Sequence, residues 1–191
     1  MINYLLHLKL LVILISVAAC TNTSPTTAEY LEKGKTITSV TFVALSQELK
    51  TAYQQGGMEN AVQYCNIHAL PITDSLAQAN KVQIKRVSDR VRNPQNIANV
   101  NEKELILNYK KQLEQNEQLK AQILTNDDNT VYYQPILLNE FCLNCHGTLG
   151  KELDSLKYQT IKSLYPEDRA IGYQAGDLRG MWKVTFYDND K

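Results

Sequence analysis

The segment Cys142-Leu143-Asn144-Cys145-His146 constrains this chain of 191 residues more than any other stretch. Two thiols three positions apart, followed at once by a histidine, match the attachment chemistry of c-type haem: each thiol adds to one vinyl group, and the histidine ligates the iron. Two thioethers fix the macrocycle to one backbone turn and bring the next residue over the metal. With 4 Cys and 3 His, a shuffled chain yields this pattern about once in a thousand, so coincidence is a poor explanation.

Other uses of the same residues fit less well. Zinc takes four tetrahedral ligands, typically from a second Cys or His pair, and no second pair follows. A thioredoxin-like dithiol opens a helix after a buried strand in a βαβ unit, which the flanking sequence does not resemble. A disulfide between Cys142 and Cys145 leaves His146 without a role.

Covalent haem attachment takes place outside the cytoplasm, so the motif demands an export signal. Residues 1–9 carry one lysine, and Leu10 to Ala19 is an apolar run of Leu, Val and Ile. The run is shorter than the roughly 20 residues that span a bilayer, and reads as a leader. It ends in Val17-Ala18-Ala19-Cys20, the pattern of a bacterial lipoprotein cleavage site, where the new N-terminal Cys20 carries lipid and anchors the chain to a membrane. An ordinary leader with a coincidental cysteine is the alternative. Residues 21–28 are polar and read as a tether, leaving 29–191 as one domain with no further apolar run. The expected location is the periplasmic side, and Thr21 after the lipidated cysteine, in place of Asp, favours the outer membrane.

The 20 basic and 20 acidic residues cancel, so nothing favours nucleic acid as a partner. Eleven tyrosines against three phenylalanines and one tryptophan suggest a modest core, helped by whatever the domain encloses. With Cys20 assigned to lipid and Cys142 and Cys145 to haem, Cys65 stands alone. An unpaired thiol in an oxidising space is a liability unless it is buried or ligated.

Periodicity predicts a helix over 29–54 ended by Gly56-Gly57, and a second over 58–70 with Ala61, Val62, Cys65 and Ala69 on one stripe before Pro71 interrupts it. Val82 to Val91 reads as a strand, Glu102 to Leu124 as a half-buried helix, and Asn126 to Asn129 as a turn. Thr130 to Leu138 is a strand that Pro135 demotes to an edge or a bulge. Glu152 to Leu164 is weakly helical, 172–180 is loop, and Met181 to Tyr187 closes as a strand. Helices first and strands late, with no βαβ alternation, indicate an α+β domain.

Four segments carry a resemblance: A-V-Q-Y-C (Ala61 to Cys65), R-V-R-N-P (Arg90 to Pro94), C-L-N-C-H-G (Cys142 to Gly147) and Y-P-E-D-R-A-I-G-Y-Q-A-G-D-L-R-G-M-W (Tyr165 to Trp182). From about Leu31 to the C-terminus the chain resembles the PAS-like c-type haem domain, found as a small exported bacterial and cyanobacterial protein and as the sensor input of some signalling proteins. The resemblance implies an antiparallel sheet flanked by helices around one covalent haem. It further implies His146 as one axial ligand and Cys65 as the other. His68, one turn after Cys65, and Met58, seven residues before it, compete for the second position. Arg86, Arg90, Arg92, Arg169 and Arg179 are available to the haem propionates, and the sequence does not choose among them. Trp182 is most simply core.

The function expected is a membrane-anchored redox or gas (NO or CO) sensor that works through a change at the Cys65 side of the iron and signals to a separate partner protein. The alternative is a monohaem electron-transfer cytochrome, which a distal His68 or Met58 would favour. No distal acid–base pair supports an enzyme.

Overall fold

The computed structural model describes residues 25–126 and 128–187. The expected leader with Cys20, and residues 21–24 of the expected tether, lie outside them. Thr26 opens the first helix: its hydroxyl accepts from the Glu29 amide, and the Glu29 carboxylate accepts from the Thr26 amide at 2.6 Å. This reciprocal cap starts helix α1 (Thr27–Ala79) two residues before the expected Glu29.

Helix α1 has two limbs. Gly56 (φ −162°, ψ 28°) and Gly57 (φ 67°, ψ −157°) leave helical geometry, and the second limb resumes directly after them. The left-handed φ at Gly57 is one that a Cβ disfavours, so the kink sits where side chains are absent. Pro71 does not end the second limb, contrary to the expectation from its missing N–H; the helix continues to Ala79. Thr73 and Ala77 are buried in that continuation, and Ala77 packs with Ile84 and Trp182. Tertiary burial offsets the lost backbone bond.

Four strands form one antiparallel sheet: β1 (Gln83–Val87), β2 (Gln122–Thr125), β3 (Asn129–Leu137) and β4 (Leu178–Tyr187), in the order β1-β4-β3-β2. Period-two alternation sends Trp182, Val184 and Phe186 of β4 to the face covered by α1, with Ile37, Tyr132 and Ile84. The opposite face carries Val87, Val131, Tyr133 and Met181 under Ile106 and Tyr109 of helix α2 (Val100–Glu114). Gly34 lets α1 approach the sheet closely, since a Cβ there would stand 2.3 Å from Tyr132 Cγ. The expected α+β class is the observed one.

Helix α2 ends at Glu114, not Leu124. Asn116 turns the chain with φ 56°, and residues 122–125 pair with β3 as its hairpin partner. Their helical composition yields to strand pairing, in which Ile123 packs on the α1 face of the sheet. Within the turn, Asn126 Oδ1 accepts from the amides of Asp128 and Asn129. Strand β3 is central, yet β2 covers it only as far as Tyr133, so Pro135 stands where that edge is open; a bulge follows at Ile136/Leu137. The bulge lets Leu178 pair with Leu137, so β4 begins three residues before the expected Met181.

Candidate functional site

The C-x-x-C-H segment forms a 3₁₀ turn (Glu140–Cys142) running into the four-residue helix α3 (Leu143–His146). Asn139 caps it: its Oδ1 accepts from the Cys142 amide at 3.2 Å and from the Cys142 thiol at 3.2 Å. Tyr53, on the first limb of α1, closes on the segment with its hydroxyl 3.4 Å from Asn144 Oδ1 and its ring edge-on to Phe141 at 5.3 Å. From the second limb, Met58 and Val62 pack with Cys145, Leu153 and Ile161. The last of these belongs to helix α4 (Ser155–Leu164), which Asp154 caps.

Between this segment, both limbs of α1 and the α1 face of the sheet lies a cavity of about 270 Å³. Cys65, Cys142, Cys145 and His146 all line it, as do Ala61, Val62 and Ala69 of the predicted stripe. No two described cysteines are bonded to each other. Nor, among the described residues, do three His, Cys, Asp or Glu side chains gather closely enough to hold a bare metal ion. The four are spread around a space, the arrangement a large flat group with its own metal requires and a tetrahedral ion does not.

His146 is pre-oriented. Its Nδ1 lies 2.6 Å from the carbonyl oxygen of Ala170, so Nδ1–H donates there and Nε2 carries the lone pair. A backbone acceptor behind the imidazole is the usual support of a metal-ligating histidine. Burial holds its pKa well below the ordinary histidine range, with the Arg92 and Arg179 charges adding to the effect, so the ring is neutral. Burial pushes the Cys145 thiol up to about 11 against the pull of Arg92. The Cys65 thiol is also raised by burial, and Arg86 and Arg92 oppose the rise.

The segment after Tyr165 serves the motif through its backbone. Gly172 and Tyr173 donate their amides to the carbonyls of Gly147 and His146, at 2.8 and 3.0 Å. Arg92 donates to the Cys145 carbonyl at 2.7 Å and pairs with buried Asp168, whose Oδ1 also accepts from the Ala170 amide. Arg90 donates to the carbonyl of Ile171 and lies over the Tyr173 ring, 4.3 Å from its centroid. The Asp168–Arg92 pair and the Ala170 carbonyl escape sequence reasoning: the first shows only as charges in two separate motifs, and a carbonyl has no residue signature.

Two candidate ligands lie elsewhere. His68 is exposed, with its ring 4.4 Å from that of Tyr64, and does not line the cavity. Met58 is fully buried in the cluster with Leu153 and Ile161, two turns from Cys65. Of the five arginines, Arg169 is exposed and Arg90 and Arg92 are taken up by the 168–171 loop; Arg86, Arg92 and Arg179 line the cavity. No Asp or Glu among the described residues lines it. Trp182, expected as core, packs there and also forms part of the cavity wall.

A family model described as Tll0287-like matches residues 18–186. The chain belongs to the Tll0287-like family. The fold agrees: the crystal structure of the cyanobacterial haem protein Tll0287 superposes with a TM-score of 0.59 at 25% identity, covering 84% of this chain and 97% of that one. Among curated proteins none matches.

Proposed function

We propose that the chain is a c-type haem protein, anchored to a membrane through Cys20 on the periplasmic side and acting as a redox or gas sensor. The observation that carries the reading is His146, backed by the Ala170 carbonyl at 2.6 Å and lining one cavity with Cys142, Cys145 and Cys65. Kinship with a haem protein supports it. Cys142 and Cys145 would hold the macrocycle as thioethers, and His146 Nε2 and Cys65 would ligate its iron, in a PAS-like domain. When bound, the haem would supply one-electron chemistry and, with Cys65 released, a position for NO or CO.

The protein's own residues make Cys65 the responsive element. Its thiol sits on the second limb of α1, which joins the first through the non-helical Gly56–Gly57 pair. Arg86 and Arg92 favour its thiolate while burial favours the thiol, so the two forms are opposed by design of the site. The exposure of His68 and the burial of Met58 away from the cavity weigh against the electron-transfer alternative, which drew on those two ligands.

Spectra of the mature holoprotein, ferric and ferrous, compared with those of Cys65→Ala test the assignment. The account expects the ferric ligand-field bands to change with the substitution. Coincident spectra would remove Cys65 from the iron and favour electron transfer.

A further inference from the structure

Three guanidiniums line the cavity, and no carboxylate among the described residues does. Arg92 has Asp168, whereas neither of the other two guanidiniums forms an ion pair with a carboxylate of the described residues. Arg179 uses Nη1 to donate to Ser88 Oγ and to the Arg90 carbonyl, both neutral acceptors at 2.9 Å. The Arg86 side chain makes no hydrogen bond or ion pair with any described residue; its guanidinium lies 5.8 Å from the Trp182 ring centroid. Both come from adjacent strands, Arg86 from β1 and Arg179 from β4, and both line the cavity. Burial pushes both guanidiniums below their ordinary range, opposed only in part by Cys65 and Tyr165 near Arg86 and by Tyr173 and Asp168 near Arg179. Water-poor placement of unpaired cations is costly unless a bound group brings the anions.

We infer that Arg86 and Arg179 are the propionate-binding residues of this site, one guanidinium without a carboxylate partner for each of the two carboxylates that haem carries. The inference rests on the haem reading above and deepens it. It separates the arginines by role: Arg90 and Arg92 hold the 168–171 loop against the C-x-x-C-H backbone, while Arg86 and Arg179 face the ligand. Guanidinium and carboxylate match as forked donors and acceptors, which a lysine replaces in charge but not in geometry.

The test uses holoprotein of wild type, Arg86→Gln, Arg86→Lys, Arg179→Gln and Arg179→Lys, produced with cytochrome maturation machinery. Intact mass reports covalent haem; resonance Raman reports the propionate bending bands; potentiometry reports the midpoint potential. Each Gln variant is expected to retain covalent haem, to shift a propionate band and to lower the potential, because an uncompensated carboxylate stabilises ferric iron. The Lys variants are expected to recover potential while leaving the band shifted. Arg86→Gln removes no hydrogen bond of the described chain, so it remains decisive if Arg179 variants fail to fold through loss of the Ser88 contact. Bands and potential unmoved in haem-loaded Arg86→Gln would overturn the inference and leave the haem reading intact. Wild type without covalent haem would overturn both.

Discussion

Arg92 and Asp168 join two distant motifs: Nε of the first lies 3.2 Å from Oδ1 of the second, with the Asp168 side chain wholly buried and Arg92 13% exposed. Through this pair, R-V-R-N-P reaches both the Cys145 carbonyl and the loop whose Ala170 carbonyl orients His146. The ion pair thus holds the C-x-x-C-H segment and its histidine in one register.

Breaking it by Asp168→Ala leaves Arg92 buried without a counter-ion. Removal of one partner from such a pair costs about 3–5 kcal/mol. Urea unfolding of the mature chain should show a midpoint lowered to match, with Arg92→Ala and the double variant losing less than the sum of the singles.

Gly34 tests the packing of α1 on the sheet. Alanine there places Cβ 2.3 Å from the Tyr132 ring, which is itself fully buried. Overpacking of this kind costs about 1–3 kcal/mol, despite the better helix propensity of alanine. A melting temperature at or above that of wild type for Gly34→Ala would refute the close approach.

Gly57 tests the kink. At φ 67° and ψ −157°, alanine adds about 1–3 kcal/mol of backbone strain, while its Cβ meets only Glu59 Oε2 at an ordinary 3.6 Å. The strain favours straightening of α1 and so displaces the limb carrying Cys65. In the holoprotein, Gly57→Ala should alter the ferric ligand field in the same direction as Cys65→Ala, and by less.

Tyr109 predicts an alkaline weakness. Burial, and then the neighbouring Tyr132, push its pKa to about 12 from an ordinary 10. Below pH 10 both folded and unfolded states keep the proton and stability is full. Between 10 and 12 the unfolded chain ionises first, so stability falls with pH at about 1.4 kcal/mol per unit, roughly 3 kcal/mol in total. Tyr109→Phe should flatten this part of the profile measured by urea titration, at the cost of the hydroxyl bond to the Lys120 carbonyl at 2.9 Å.

What the sequence disclosed follows physical range. The stripe Ala61-Val62-Cys65-Ala69 was legible because helical spacing is local, and its four members do line the cavity. Gly56-Gly57 was legible as a break because glycine's freedom is a property of the residue. The end of α2 was not: Gln122–Thr125 has helical composition, and only pairing with β3 makes it a strand. Pro71 misled for the same reason, since its burden is offset by burial of Thr73 and Ala77 against elements far along the chain. His68 shares a turn with Cys65, yet the Tyr64 ring takes it up outside the cavity. Side-chain partners of the arginines depended on the fold of the 168–171 loop and could not be read from spacing.

The central claim is covalent haem on Cys142 and Cys145, and intact mass spectrometry of the mature chain tests it most directly. Cells that export the chain and carry cytochrome maturation machinery should yield protein heavier than its sequence by one haem, with the added mass lost from the double variant Cys142→Ala, Cys145→Ala. An unmodified wild-type mass, or haem that leaves the chain on denaturation, would contradict the account.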